Sequence, residues 1–203
     1  MKTEDITGGK GEKEYSDLTF HGLDLKSKTI TARRFYSCVF RNCDLTGAAL
    51  ESCRFADCRF ESCNLSLVKV QGSSFSETSF KDSKLTGVNW TEAAWPRVRL
   101  PGPISFESCV LSDCNFFGLC LKGSRITGCL AKEADFREAD LSGSDFTRTD
   151  LSGSLFGKTD LSGADLAKAR NYAIRLPDNR VKDARFSMPE AMSLLYCLDI
   201  KIV

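Results

Sequence analysis

Large apolar residues recur at every fifth position of this chain. From Phe20 the series runs through Leu25, Ile30, Phe35, Phe40, Leu45, Leu50, Phe55, Phe60, Leu65, Val70, Phe75, Phe80, Leu85, Trp90 and Trp95 to Leu100. It resumes at Phe106, shifted by one residue beside Pro101-Gly102-Pro103, and continues through Leu111, Phe116, Leu121, Ile126, Phe136, Leu141, Phe146, Leu151, Phe156 and Leu161 to Leu166. A helix repeats every 3.6 residues and a strand every two, so neither accounts for the series. Two positions before each large residue stands a smaller one, such as Cys38, Ala48, Ser73, Ala134, Ser144 or Thr149. Two inward positions in five require a backbone that is extended for about three residues and then turns a corner. Gly22, Gly47, Gly87, Gly118, Gly143 and Gly163 fall two after the large residue, where a corner can demand the positive φ that glycine supplies.

Four such corners close a square coil of twenty residues, and residues twenty apart then stack: Phe20, Phe40, Phe60 and Phe80; Phe35, Phe55 and Phe75; Phe116, Phe136 and Phe156. Like falls on like, so the expected fold is an all-β solenoid. At ~4.8 Å per coil, seven to eight coils make a rod of roughly 35 Å whose two ends both need caps. Three segments follow: a flexible tail over 1–14, the repeat body over 15–170 with its register break near 101–105, and a C-terminal cap and dimerisation segment over 171–203. Lys28 and Arg33 occupy positions reserved for small residues, so the first coil is expected to be frayed or capped differently. After Ala169 the cycle decays. Ser187-Met188-Pro189-Glu190 then reads as a capping box, Met188, Ala191, Met192 and Leu195 follow helical spacing, and 198–202 alternates like a strand. Met188, Ala191, Met192, Leu195 and Leu198 are the candidate homodimer contacts, because a solenoid end otherwise exposes an unpaired β edge.

Charge changes this picture little. The chain has 28 Lys plus Arg against 27 Asp plus Glu, a net +1, which calls for no direct nucleic-acid partner. The polar start has no secretory h-region and no apolar run approaches the length of a membrane span, so the expectation is a cytoplasmic protein with no membrane contact. Eight of the ten cysteines (Cys38, Cys43, Cys53, Cys58, Cys63, Cys109, Cys114 and Cys129) take the small inward position and read as reduced core residues. Successive ones lie on different walls, which does not suit a tetrahedral zinc site. His21 is the one histidine, and neither a phosphate-binding nor a dinucleotide-binding glycine motif is present. No enzyme, cofactor, metal or small-molecule substrate is expected.

Asp135, Asp140, Asp145, Asp150, Asp160 and Asp165 all take the outward position before the large residue. As solvated residues of the repeat they need no function. Alternatively, Asp140 over Asp160 and Asp145 over Asp165 place negative charges at regular spacing on a rod, as phosphates are on DNA. The equivalent position in the N-terminal half carries Arg34, Arg54, Arg59, Lys69 and Lys84, so polarity runs along the rod.

The stretch ADFREADLSGSDFTRTDLSGSLFGKTDLSGADLAKA at 134–169 resembles the pentapeptide-repeat family, with its motif A(D/N)LXX. The resemblance covers roughly residues 18–170 and implies a right-handed quadrilateral β-helix. GVNWTEAAWP at 87–96, SFESCVLSDCNFFGL at 105–119 and ARFSMPEAMSLLYCLDI at 184–200 resemble more closely the topoisomerase-protecting members of albicidin-resistance and quinolone-resistance type. That resemblance implies a homodimer joined at its C-terminal ends, binding a type II topoisomerase, DNA gyrase, in place of DNA and countering its poisons. The six aspartates are then the partner-binding residues. A structural or adaptor solenoid that binds another protein is the alternative.

Overall fold

A computed structural model shows the chain as a right-handed quadrilateral β-helix of about eight turns with one short helix at its C-terminal end. The structure describes residues 6–7, 11–95, 104–198 and 200. All strand pairing is parallel, and each large residue lies over the one twenty positions on: Phe20 over Phe40, Phe40 over Phe60, Phe35 over Phe55. The rings stack, with centroids 4.6 Å apart for Phe40 and Phe60, 5.0 Å for Phe35 and Phe55, and 5.1 Å for Phe116 and Phe136. Four walls result, here called A to D after the order in which the chain visits them. Wall A carries Tyr15, Phe35, Phe55, Phe75 and later Leu121, Leu141 and Leu161. Wall B carries the Phe20 stack through Phe106 to Leu166, wall C Leu25 to Leu151, and wall D Ile30 to Phe156.

The corners explain the period. At the regular corners the residue two after the large one has positive φ whether or not it is glycine: Gly47 at 63°, but also Ser37 at 50°, Asp57 at 53° and Leu67 at 59°. Each non-glycine corner costs about 1 kcal/mol of strain, held by ladder bonds to the next coil, such as Ser37 N donating to Ala56 O at 2.9 Å. The small slot is filled as expected. All eight repeat cysteines are buried, and their thiols donate to carbonyls of the preceding coil, as Cys63 Sγ does to Phe40 O at 3.3 Å. Serine and threonine do the same where they replace cysteine, as with Ser73 Oγ on Leu50 O at 2.8 Å. Burial pushes the Cys58 and Cys114 thiols up to about 12, and Cys63 and Cys129 are raised by the hydrogen bond to the cysteine one coil earlier and then by burial. These are packed thiols, unsuited to nucleophilic work.

Three expectations are corrected. The register break is more than a one-residue slip: Phe80 pairs with Phe106, so this coil is six residues longer than the spacing of twenty elsewhere, and the extra chain falls between Trp95 and Ile104 at the corner of walls A and B. Most of that segment lies outside the described residues. Within 1–14, expected as a tail, Ile6 is fully buried in the core and strand β1 (Lys13–Ser16) already pairs with Arg33–Tyr36. The capping box is not made. Ser187 Oγ instead accepts from Lys168 N at 2.8 Å, and Glu190 Oε1 accepts from Asn171 N, so both side chains tie the helix to the last coil.

The terminal helix, Glu190–Leu198, is of 3₁₀ type. Three residues per turn put Ala191, Leu194 and Cys197 on the inward row, of which Leu194 is buried. Met192, Leu195 and Leu198 form a second row, and Met188 precedes the helix with 69% of its surface exposed. The helical spacing read from the sequence therefore divides over two faces. Of the strand expected at 198–202, Leu198 belongs to the helix, Ile200 is in no strand, and the rest lies outside the described residues.

Candidate protein-binding surface

An aspartate before the large residue does a specific job at the corner. Asp140 Oδ1 accepts from Ser142 N at 3.1 Å and from Ser142 Oγ at 2.7 Å, and Asp150 Oδ1 binds Ser152 N and Oγ at 3.1 and 2.6 Å. Asp135, Asp145, Asp160 and Asp165 each accept from the backbone N–H two residues on, at 2.9 to 3.0 Å. This Asx turn tightens the corner. In the N-terminal half Asp24, Asp44 and Asn64 act identically. At Arg54, Thr19 or Ser79 the chain stays extended for three or four residues, whereas Val110, Arg170 and Arg180 make only isolated bridges; no Asp or Asn occurs at this position in the described strands except the two-residue Asp165–Leu166. Asp or Asn thus accompanies the tight corner without being required for it, since Lys84, Val110 and Leu130 make the same isolated bridges.

The six aspartates do not share a wall. Asp140 and Asp160 stack on wall A, Asp145 and Asp165 on wall B, Asp150 lies on wall C and Asp135 on wall D. Nor are most of them free charges. Arg180 pairs with Asp160 at 3.2 Å, Arg185 with Asp165 at 3.0 Å, Arg170 with Asp150 at 3.4 Å, and Arg137 with Asp135 at 2.7 Å. The six aspartates therefore do not act as one group, and those on walls A and B form an acidic edge where the two walls meet. On that edge Asp140 and Asp145 have no ion pair among the described residues. Both are half-buried, with the carboxylate fixed by the corner amide.

The fixation shows in the titration. The Arg137 hydrogen bond holds Asp135 below the ordinary carboxylate value. Burial works to raise Asp150, but hydrogen bonds from Asn171 and Ser152 and the Arg170 charge outweigh it and leave the group at about 2. Asp160 is lowered in the same way: burial opposes, and Ser162 and Arg180 prevail.

Three further basic residues, Arg170, Arg180 and Arg185, stand over Asp150, Asp160 and Asp165 at twenty-residue spacing, so the last coil forms a basic collar on the acidic one. The five-residue period marks the aspartates; Arg137, the partner of Asp135, is two residues on, and the other three partners lie beyond Ala169, where the large apolar residues that mark the period give out. Beyond the collar the C-terminal end exposes Met188, Tyr196, Leu198 and Ile200 at 69%, 77%, 43% and 55%. Ala191, Met192 and Leu195 are half-buried. Among the described residues no group of His, Cys, Asp and Glu could hold a metal ion, and no helix is long and apolar enough to cross a membrane.

Family models for a pentapeptide repeat region and for pentapeptide repeats match residues 33–103 and 144–170. No curated protein sequence matches this chain significantly. Among solved structures it is similar to a trypsin-treated form of QnrB1, a plasmid-mediated fluoroquinolone resistance protein, at 17% identity and a TM-score of 0.69, covering 93% of this chain and 99% of the other. Against full-length QnrB1 the identity is 18% and the TM-score 0.52, over 93% and 100% of the two chains. The period, the square coil and these matches agree on a pentapeptide-repeat β-helix, and the chain resembles the pentapeptide-repeat family over residues 33–103 and 144–170.

Proposed function

We propose that this protein is a non-enzymatic, homodimeric binding protein that engages a type II topoisomerase, DNA gyrase, in place of DNA and protects it from inhibitors. The observation that carries the reading is the likeness to a fluoroquinolone resistance protein along nearly the whole of both chains. The likeness supports a shared mode of action, and the electrostatics supply a place for it. Asp140 and Asp145, unpaired on the acidic edge, are the groups that a basic DNA-binding saddle would meet, with Asp160 and Asp165 partly neutralised beside them. Asp135 and Asp150 face elsewhere and serve the corners. The homodimer reading rests on the exposed Met188, Tyr196, Leu198 and Ile200 at the C-terminal end.

A supercoiling assay with purified gyrase, with and without a fluoroquinolone, tests the function. The expected result is inhibition or protection that weakens with salt, since exposed charges are screened within about 10 Å at 0.1 M ionic strength. No effect of either kind at tens of micromolar protein would refute the topoisomerase reading and leave an adaptor solenoid for another protein. Light scattering tests the dimer: a monomeric intact chain at micromolar concentration would overturn it.

A further inference from the structure

We propose that a hollow on wall B, floored by Thr127, binds a free α-amino acid, with Arg125, Arg148 and the Thr127 hydroxyl taking the carboxylate and Asp145 the ammonium. The hollow follows from side-chain length. In strand Arg125–Thr127 the central Ile126 is buried in the core, so Arg125 and Thr127 face outward. On the coils before them the residue after the large one is long and paired with its neighbour one coil on, Arg41 with Glu61 at 2.6 Å and Lys81 with Glu107 at 3.1 Å. After Glu107 the same ladder holds Thr127 and then Thr147. Two short side chains beside a long pair leave a recess of about 290 Å³, which Glu107, Arg125, Asp145, Thr147 and Arg148 line around Thr127.

The groups around the recess are unengaged. Thr127 is only 6% exposed, yet its hydroxyl makes no hydrogen bond among the described residues. Arg125 and Arg148 are exposed, and neither is in an ion pair among the described residues. The coil spacing explains why. Arg170, Arg180 and Arg185 each reach an aspartate one coil back. One coil back from Arg125 stands Ser105, and one coil back from Arg148 stands Gly128, which has no side chain to offer. Asp145 Oδ1 accepts from Thr147 N at 2.9 Å, and Glu107 is taken up by Lys81. A carboxylate seated on Thr127 thus gains a hydroxyl donor and two guanidinium groups. The negative charges of Asp145 and Glu107 oppose a doubly charged anion such as phosphate and favour a cation held beside the carboxylate. A free α-amino acid carries both charges on one carbon, whereas each terminus of a protein chain carries one of them. The site does not depend on the topoisomerase reading.

Backbone NMR of the full-length protein, titrated with glycine, acetate and inorganic phosphate at constant ionic strength, tests the inference. Glycine is expected to give saturable shifts at the amides of Arg125, Thr127, Gly128 and Arg148, and acetate to bind about fivefold more weakly or worse. Arg125→Gln with Arg148→Gln changes two exposed side chains and is expected to weaken glycine binding about tenfold, with the amides of Phe60 and Phe136 unshifted as a check on the fold. Asp145→Asn keeps the Oδ1 acceptor for Thr147 and is expected to erase the preference for glycine over acetate. No saturable shift at the four amides up to about 100 mM glycine would overturn the site, as would unchanged glycine binding in the double-arginine variant. Acetate or phosphate binding as tightly as glycine, or a preference that survives Asp145→Asn, would overturn the assignment to an amino acid.

Discussion

The two halves of this rod reach one fold with different chemistry. Coils before the register break have an aromatic core on walls A and B, with Phe20, Phe40, Phe60 and Phe80 stacked at 4.6 to 4.9 Å and Phe35, Phe55 and Phe75 meeting them edge-on. Five of their small slots hold cysteine, and most of their corners follow three-residue strands. Coils after the break are built on leucine, with Leu121, Leu141 and Leu161 on wall A, and retain one long aromatic stack, Phe116, Phe136 and Phe156, on wall D. Their slots are alanine, serine and threonine from Ala134 on, after Cys109, Cys114 and Cys129, and their aspartates pin tight corners. The fold therefore demands a volume and a direction at each position, and leaves the chemistry open. What differs between the halves is the residue before the large one: Arg34, Arg54, Arg59, Lys69 and Lys84 outside the aromatic coils, and aspartates pinned to their corners outside the leucine coils.

Substitutions in the stacks give the largest expected effects and ask whether the halves stand independently. Phe60→Ala removes a fully buried ring from between two stacked neighbours and should cost about 4 kcal/mol, against about 3 for Leu141→Ala. Because each coil contacts only its neighbours, hydrogen exchange should localise each loss to its own half. Equal loss of protection along the whole rod would show that the halves are one cooperative unit.

Acid separates the halves next. Asp150 is held at about 2 in the folded chain against an ordinary value near 3.8. The unfolded chain thus takes up the proton first. The stabilisation, about 2 kcal/mol from the shift, is whole above pH ~4 and lost as pH falls toward 2. Urea midpoints of the intact protein and of Asp150→Asn should differ at pH 6 and converge near pH 2. A constant difference would mean that Asn171, Ser152 and Arg170 contribute nothing through the charge.

The smallest effect is the most diagnostic of the shared geometry. Cys58→Ser gives this slot the hydroxyl that Ser73 and Thr149 place in theirs, and the thiol there already donates to Phe35 O at 3.4 Å. The expected cost is under about 1 kcal/mol. A loss as large as that of Phe60→Ala would mean that thiol packing, rather than the slot's volume and its carbonyl, holds the first half.

The fold was legible because Phe and Leu repeat at one position without interruption, and no alternative backbone accommodates that period. The details that were missed share a physical cause. In a solenoid the nearest polar neighbour is about twenty residues away, so a reading of adjacent residues misassigns partners. Ser187 and Glu190 have the local spacing of a capping box, yet they bind Lys168 and Asn171, nineteen residues back. The aspartates were found by period, but the arginines of Asp150, Asp160 and Asp165 sit one coil on. Asp135 and Asp150 were grouped with Asp140 and Asp160 because they share a position in the repeat, although each step of five turns a corner to a different wall. Ile6 precedes the first repeat and gave no periodic signal; its carbonyl, which accepts from Arg33 Nε at 3.0 Å, is marked only by the misfit of Arg33.

The comparison of walls leads to the most direct test of the functional account. Asp140→Asn with Asp145→Asn removes both unpaired charges of the acidic edge while keeping the Oδ1 acceptors that bind Ser142 and Thr147. Asp113→Asn with Asp135→Asn removes as many charges from walls C and D and serves as the matched control. In the gyrase supercoiling assay with a fluoroquinolone, the edge variant should need about tenfold more protein for the same effect, and the control about as much as the intact chain. Equal behaviour of the two variants would contradict the assignment of the contact to the acidic edge.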